Sequence, residues 1–350
     1  MTPDFNYGDG RSYYVSLLIK YSGKAGLNLF LLTNGGDSIE RAVENRIKVY
    51  KDKSLCRKTG FIKSLKNLRN IAEENKIDII HTHHRYYELL ANSASAFFKG
   101  KIKTAATALS LVEGKYYVEF KSDKIIAVSK AVKKMLTEKY SIDEKKIELI
   151  PNFTDSEEVK GLTSHSNKKK FNRAVKINLL CVGRLHKEKD QLTLLRALKI
   201  SGRDKFRLTL VGEGNLETAL KNYTVENKLD VEFVKSCRDL SPYFIKSDIC
   251  VLPSRRDPFP GFMLQSGLYG KPFIGADTDG ISELIQHNKN GLLFRKGNAE
   301  DLSNAILNFM INDELRLKCA GNLHNEVLKN YTEKKIIPRI ITLYENLIKK

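Results

Sequence analysis

Short apolar runs alternate with amphipathic stretches along almost the whole chain, and this alternation restricts the fold more than any other feature. An apolar run, a helix-length amphipathic segment and a second apolar run make a βαβ unit. Its parallel strands are joined by a crossover helix and buried on both faces. In the first half the pattern predicts strands at 27–33, 77–81, 103–108, 124–128 and 147–150. Helices are expected at 11–21, 61–75, 86–98 and 129–140, the last capped by Ser129. Near Asn152 the pattern stops. Residues 154–172 are rich in Ser, Lys and Asn and have no periodicity, as a connector between domains does. It restarts with strands at 176–182, 207–211, 231–234, 249–252, 272–276 and 291–294, and three helical stretches close the chain from Ala299.

A chain of 350 residues is too long for one ordinary core. The reading is α/β: two Rossmann-like, doubly wound parallel-sheet domains, 1–153 and 173–331, joined by a linker at 154–172 and facing a cleft. The segment 332–350 is expected to pack back on the first domain. That domain has a defect at its opening. Only Met-Thr-Pro-Asp-Phe precedes the Gly8-Asp9-Gly10 loop, and Pro3 cannot donate to a central ladder. Its first strand is therefore expected to be missing or irregular, and the start of the chain truncated.

No stretch approaches the roughly 18 uninterrupted apolar residues of a membrane span, and residues 1–10 carry no secretory leader pattern. The five cysteines are scattered without a Cys-x-x-Cys pair, and Cys181 and Cys250 sit inside apolar runs. They read as reduced, buried small hydrophobes. The expected location is cytoplasmic. The net charge of +19 attracts polyanions. Most of the lysines read as a solvated surface, and the run Lys168-Lys169-Lys170 falls in the connector. The functional reading of the excess is peripheral docking on the anionic inner face of a membrane.

Three turns carry the chemistry. Val182-Gly183-Arg184-Leu185-His186-Lys187-Glu188-Lys189 follows a strand, with two cations at the carboxyl edge where open α/β sheets bind ligands. Arg184 offers a planar fork for phosphate oxygens and Lys189 a point charge; the plainer reading is a turn with ordinary surface cations. Val211-Gly212-Glu213-Gly214-Asn215 follows the next strand, where Gly212 and Gly214 permit close backbone approach to a ligand or merely make a tight βα turn. Pro253 to Gly261 follows a third strand and runs into a helix whose first amides form an anion site. Asp257 reads as a hydrogen-bond acceptor for sugar hydroxyls, or as an N-cap. Gln265, eight residues on, reads as a ribose contact or an ordinary polar helix residue. Asp279-Gly280-Ile281-Ser282-Glu283 repeats the turn pattern. Convergence of such turns in one domain points to a phosphate-bearing ligand.

These stretches, VGRLHKEKD, LVGEGN, PSRRDPFPGFMLQSGLYGKPFI and DGISELI with NGLLF, resemble the retaining glycosyltransferases of family 4, which have the GT-B fold. IDIIHTHH, DKIIAVSKAVKKML and IELIPNF carry a weaker resemblance in the first half. The resemblance implies that Arg184 and Lys189 hold the donor diphosphate and that Asp257 touches the donor sugar. By the same resemblance the backbone of Phe259, Pro260, Gly261 and Phe262 faces phosphate and sugar, with amide donors on all but Pro260, Gln265 meets the ribose, and Gly183, Gly212, Glu213, Gly214 and Glu283 line the donor site. Gly8 and Gly10 match a glycine loop facing diphosphate and acceptor, with His83 and His84 as acceptor-side polar groups. It further implies a nucleotide-diphosphate sugar as donor, a glycan or lipid-linked acceptor, and no metal or other cofactor.

The sequence departs from the family at Gln265, where a carboxylate is usual, and at Leu109, where Thr107-Ala108-Leu109 lacks the family's histidine. The main expectation is a glycosyltransferase of cell-surface polysaccharide or lipopolysaccharide synthesis. The alternative is a degraded GT-B scaffold that binds a partner or donor without turnover. A nucleic-acid partner is not expected, because no basic stretch is interleaved with exposed aromatics. A dehydrogenase is disfavoured because no strand leads into Gly-x-Gly-x-x-Gly with an acid about 20 residues on.

Overall fold

The structure, a computed structural model, describes residues 1–56, 60–114, 119–160 and 175–349. The Lys168–Lys170 run and most of the expected connector lie outside the described residues. The chain divides into two compact units, Met1–Asn152 with Glu333–Lys350, and Phe153–Thr332.

In the first unit, Asp9 caps α1 (Gly10–Lys24) by accepting from the Arg11 amide at 3.3 Å. β1 (Phe30–Thr33) leads through a short helix, α2 (Glu40–Glu44), to β2 (Lys48–Lys51), which pairs with β1 in parallel. Then come α3 (Phe61–Glu74), β3 (Ile79–Thr82), α4 (Arg85–Phe97), β4 (Lys103–Ala108), β5 (Lys124–Ala127), α5 (Lys130–Lys134) and β6 (Ile147–Leu149). The last four strands form a parallel sheet in the order β3-β4-β5-β6. Ser129 caps α5, its Oγ accepting from the Val132 amide at 3.2 Å, and the helix widens into a π-turn at Met135–Lys139.

Met1 to Phe5 form no named strand, but they do not leave a void. Thr2 N donates to Leu32 O (3.1 Å) and Asn34 N to Pro3 O (2.9 Å) on the β1 side. On the β3 side the amino terminus donates to His81 O at 2.6 Å and His83 N to Met1 O at 3.0 Å. The segment thus occupies the place of the expected central strand. Pro3 still accepts through its carbonyl, so its lost N–H interrupts the ladder without breaking it. The final helix, α13 (Glu333–Ile348), packs on α1 within this unit.

The second unit contains β7 (Ile177–Val182), α6 (Gln191–Ser201), β8 (Phe206–Val211), α7 (Glu217–Glu226), β9 (Val231–Val234), α8 (Ser241–Lys246), β10 (Ile249–Leu252), α9 (Gly261–Leu268), β11 (Phe273–Ala276), α10 (Asp279–Leu284), β12 (Leu292–Phe294), α11 (Ala299–Ile311) and α12 (Asp313–Asn330). All six strands run parallel in the order β12-β11-β10-β7-β8-β9. β10 and β11 are buried at every position, which is why Ile-Cys-Val-Leu and Phe-Ile-Gly-Ala do not alternate. α6 and α11 pack together over the core formed by Leu194, Leu198, Leu208, Val251, Ile306 and Phe309. α9 packs on α12 so closely that a Cβ at Gly267 would lie 2.6 Å from Val327 Cγ2.

At the end of β3 stand two histidines, His83 buried and His81 half-buried. The His81 and His83 rings are 4.4 Å apart. His81 shares hydrogen bonds with Tyr344 Oη (2.6 Å) and Thr107 Oγ1 (2.7 Å). Burial pushes His81 down to about 3 and His83 well below its ordinary value, with the adjacent terminal ammonium and ring adding to the shift. Both pKa values are lower in the folded than in the unfolded chain. The unfolded chain therefore takes up protons as pH falls below about 6.5, which the native state refuses, and stability drops through that window. Urea unfolding followed at pH 7 and pH 5 is expected to lose on the order of 1 kcal/mol per pH unit per histidine. His83→Gln should flatten the slope, and a pH-independent midpoint over this range would contradict the account.

Candidate functional site

The strand order of the second unit reverses between β7 and β10: the chain winds from β7 outward through β8 and β9, then returns to lay β10 on the other side of β7. Loops leaving two adjacent strands in opposite directions open a crevice at their carboxyl ends, where ligands of doubly wound sheets bind. Two of the three turns singled out above, Gly183–Lys189 and Pro253–Pro260, leave these two strands.

The first turn is held by its neighbour. Gly183 N donates to Val211 O and Leu185 N to Glu213 O, both at 2.9 Å. A Cβ at Gly212 (φ +148°) would stand 2.1 Å from Gly183 O, and one at Gly214 2.2 Å from Leu185 O. Gly212 and Gly214 therefore let the turns after β7 and β8 lie backbone on backbone. Glu213 accepts from the Ser236 amide at 3.3 Å on an exposed surface.

Lys189 runs back along Gly183 and its ammonium meets Asp257 Oδ2 at 2.5 Å. The Asp257 side chain is 5% exposed and that of Lys189 22%. Ser254 Oγ also donates to Asp257 Oδ2, at 3.3 Å, and the Asp257 amide donates to Asp279 Oδ2 at 3.1 Å. Asp257 is not the cap of the following helix. Pro260 holds that position, and no side chain caps α9, so its first amides are not taken by a capping oxygen. Gly280 packs under the same loop, where a Cβ would come within 1.8 Å of Pro258 O.

Arg255 was quoted in the sequence motif without a role, and the structure gives it one. Its amide donates to Glu188 O at 2.8 Å and its Nε pairs with Asp190 Oδ2 at 2.7 Å. Asp190 adopts a left-handed conformation (φ 49°) at the start of α6 and also accepts from Thr193 Oγ1. Arg255 thereby ties the Lys187–Lys189 turn to the loop that carries Asp257. Its only sequence signal is its place beside Ser254 after β10.

Arg184 is exposed and has no ion-pair partner among the described residues, while its carbonyl accepts from Gln191 Nε2 at 2.9 Å. Phe259 (3% exposed) and Phe262 (7%) are buried, Phe259 against Tyr331 and Phe262 against Phe244. Their backbone opens the crevice side of α9 and their rings anchor it. Gln265 is 7% exposed, with Nε2 3.4 Å from Glu158 Oε2. Glu283 lines a polar hollow of about 280 Å³ with Gln286, Lys289, Asn322, Glu326 and Tyr331, which Arg184, Lys189, Asp257 and Gln265 do not line.

The predicted residues of the first unit are more dispersed in role. Gly8 (φ +73°) makes the turn, and an added Cβ on Gly10 would meet open space. His84 is exposed and its Nδ1 caps α4 by accepting from the Tyr86 amide at 3.3 Å. His83 faces inward at 5% exposure. Among the described residues no cluster of three or more His, Cys, Asp or Glu side chains could hold a metal ion.

Lys189 and Arg184 should separate cleanly. Lys189→Ala leaves the buried Asp257 carboxylate without its counter-charge and should cost about 3 kcal/mol in urea unfolding of the second unit. Arg184→Ala, on an exposed and unpaired side chain, should stay within about 0.5 kcal/mol. Equal destabilisation by the two would refute the assignment of a buried pair.

Sequence comparison follows the same division. A family model described as Glycosyltransferase Family 4 matches residues 8–158, and one described as Glycosyl transferases group 1 matches residues 176–312. The chain is 29% identical over 295 residues to an uncharacterized glycosyltransferase of Methanocaldococcus jannaschii, covering 80% of this chain and 78% of that protein. It is 23% identical over 334 residues to the UDP-Gal:alpha-D-GlcNAc-diphosphoundecaprenol alpha-1,3-galactosyltransferase of Escherichia coli, covering 87% and 86%. The crystal structure of Anabaena Alr3699/HepE in complex with UDP-glucose aligns with a TM-score of 0.80 at 17% identity, over 99% of this chain and 100% of that one. With two parallel-sheet domains, each matched by its own family model, the chain belongs to the family 4, group 1 glycosyltransferases and has the GT-B fold.

Proposed function

We propose that this chain moves a sugar from a nucleotide-diphosphate sugar to a glycan or lipid-linked acceptor with retention of configuration. The reading places it in the synthesis of cell-surface polysaccharide or lipopolysaccharide. The observation that carries it is the Lys189–Asp257 pair at the switch point of the second sheet, beside the exposed Arg184 and the uncapped start of α9. Cations and free amides there suit a diphosphate, and a buried carboxylate beside them suits sugar hydroxyls. The relative from Escherichia coli, whose name gives UDP-Gal as donor and a diphosphoundecaprenol-linked sugar as acceptor, supports the same class. So does the UDP-glucose bound to Anabaena HepE.

In this reading the bond between the anomeric carbon and the diphosphate oxygen breaks, and negative charge grows on that oxygen. Arg184 and Lys189 stabilise it, acting where water is partly excluded. The amides of Phe259, Gly261 and Phe262 hold the phosphates. Asp257 accepts from the donor sugar while keeping Lys189 in place. The acceptor hydroxyl attacks from the face the phosphate leaves, and a phosphate oxygen takes its proton. Charge neutralisation falls to side chains, so no metal is assigned. Gly8, Gly10 and His84 are assigned to the acceptor side, and His83, being buried, acts only through packing. No helix among the described residues is long and apolar enough to cross a membrane. The +19 net charge suits peripheral contact with an anionic cytoplasmic leaflet, where a lipid-linked acceptor would reside.

A thermal-shift screen against UDP-, GDP- and ADP-sugars should find one that raises the melting temperature. Arg184→Ala should abolish that shift and lower kcat/KM for transfer by about ten- to a hundredfold, the weight of one or two charge-assisted contacts. A chelator should leave the rate unchanged. If none of the donors stabilises the chain, the reading is wrong.

A further inference from the structure

The family resemblance expects a carboxylate at position 265, yet the residue is an amide, and the structure shows what stands opposite it. Glu158 comes from the 3-10 turn Ser156–Val159. Asp155 braces that turn by accepting from the Glu157 amide at 2.8 Å, and the preceding Thr154 N donates to Tyr331 O at 3.0 Å beside the Thr154–Thr332 bridge. The turn is thus fixed to the end of α12 inside the second unit. It presents Glu158 Oε2 to Gln265 Nε2 at 3.4 Å. One helical turn along α9, Tyr269 bonds Ser241 Oγ at 2.6 Å. Burial pushes the Tyr269 phenol up to about 12, and Glu158 and Asp155 add to the shift. Two observations therefore place the Glu158 charge over the face of α9 that carries residues 265 and 269.

An amide opposite a carboxylate gives an N–H···O contact. A carboxylate at the same place would set two anions at about that separation, an arrangement that is strongly unfavourable at a part-buried site. Gln265 and Glu158 are a matched pair. We propose that in this chain Glu158, oriented by Gln265, supplies the carboxylate that accepts hydrogen bonds from the hydroxyls of the nucleotide's ribose. The negative acceptor has moved from α9 to the 3-10 turn that opens the unit. A carboxylate accepts up to about four hydrogen bonds, and the Gln265 amide takes one part of that capacity. The inference rests on the nucleotide-donor reading above, and it gives Gln265 a function in place of a defect.

Calorimetric titration with UDP, GDP and ADP first finds the diphosphate that the unaltered chain binds. The matching 2′-deoxy and 3′-deoxy diphosphates then measure what each hydroxyl contributes. Glu158→Gln should weaken binding of the ribose form by about tenfold or more, as losing a charged acceptor does, and should erase the preference over at least one deoxy form. Gln265→Glu should also weaken binding, through repulsion from Glu158. The exchange Glu158→Gln with Gln265→Glu should restore both affinity and hydroxyl discrimination to within about threefold, since it keeps one carboxylate and one amide in place. This double variant carries the test if a single variant fails to fold. Unchanged discrimination in Glu158→Gln overturns the inference while leaving the nucleotide reading intact. A failure of the unaltered chain to bind any of the three diphosphates overturns that reading and the inference with it.

Discussion

The second unit is organised around one buried ion pair. A carboxylate as enclosed as Asp257 is expensive to keep charged unless a cation and further donors surround it. Lys189 and Ser254 meet that need, and the need dictates the surroundings. On its way to Asp257 the Lys189 side chain lies along Gly183, whose own φ of +155° favours glycine. The turn that carries it is held from the other side by Arg255, through both its amide and its guanidinium. The loop carrying Asp257 sits in turn on Gly280, with no room for a Cβ. The contacts form a closed circuit across the carboxyl ends of β7 and β10, so the charges at the crevice are set before any ligand arrives. Such preorganisation is what makes fixed charges effective against a developing negative charge.

How much of this was legible in the sequence depended on whether the signal was local. β4 and β10 coincide with their apolar runs because both are buried almost throughout. The N-cap at Ser129 was readable from one residue and its context. β2, by contrast, was missed: Lys-Val-Tyr-Lys has charged ends and its exposed-to-intermediate burial gives no apolar run. α2, with five residues, is too short to show a period. Residues 154–172 read as connector, yet 156–159 form a turn that belongs to the second unit. Asp4 and Phe5 hid their role because their partner is Gly35, across the sheet rather than along the chain.

The site was legible as a set of turns but not as a set of pairs. Arg184, Lys189 and Asp257 stood out because each follows a strand. The bond between Lys189 and Asp257 spans 68 residues and appears only once the sheet is wound. Arg255 stood in a quoted motif without a role and Glu158 stood in none; both act by what they touch across the unit. Gly212 and Gly214 were noted for close backbone approach to a ligand or for a tight turn; in the structure the backbone that approaches them is the neighbouring turn. Departures such as Gln265 are informative in the same way, because a substitution in a buried polar place is best interpreted by finding the group opposite.

The close seat of α9 on α12 bears on how the second unit can respond to cargo. With Gly267 against Val327 and Leu323, the two helices approach without the cushion of a side chain. A shift of α9 by even a fraction of a turn would drive backbone into branched carbons. The helix is therefore a fixed wall rather than a moving jaw, and adaptation to different sugars must come from rotamers and loop backbone around it. Donor choice would then evolve by exchanging individual side chains along that wall, leaving its position in the unit untouched.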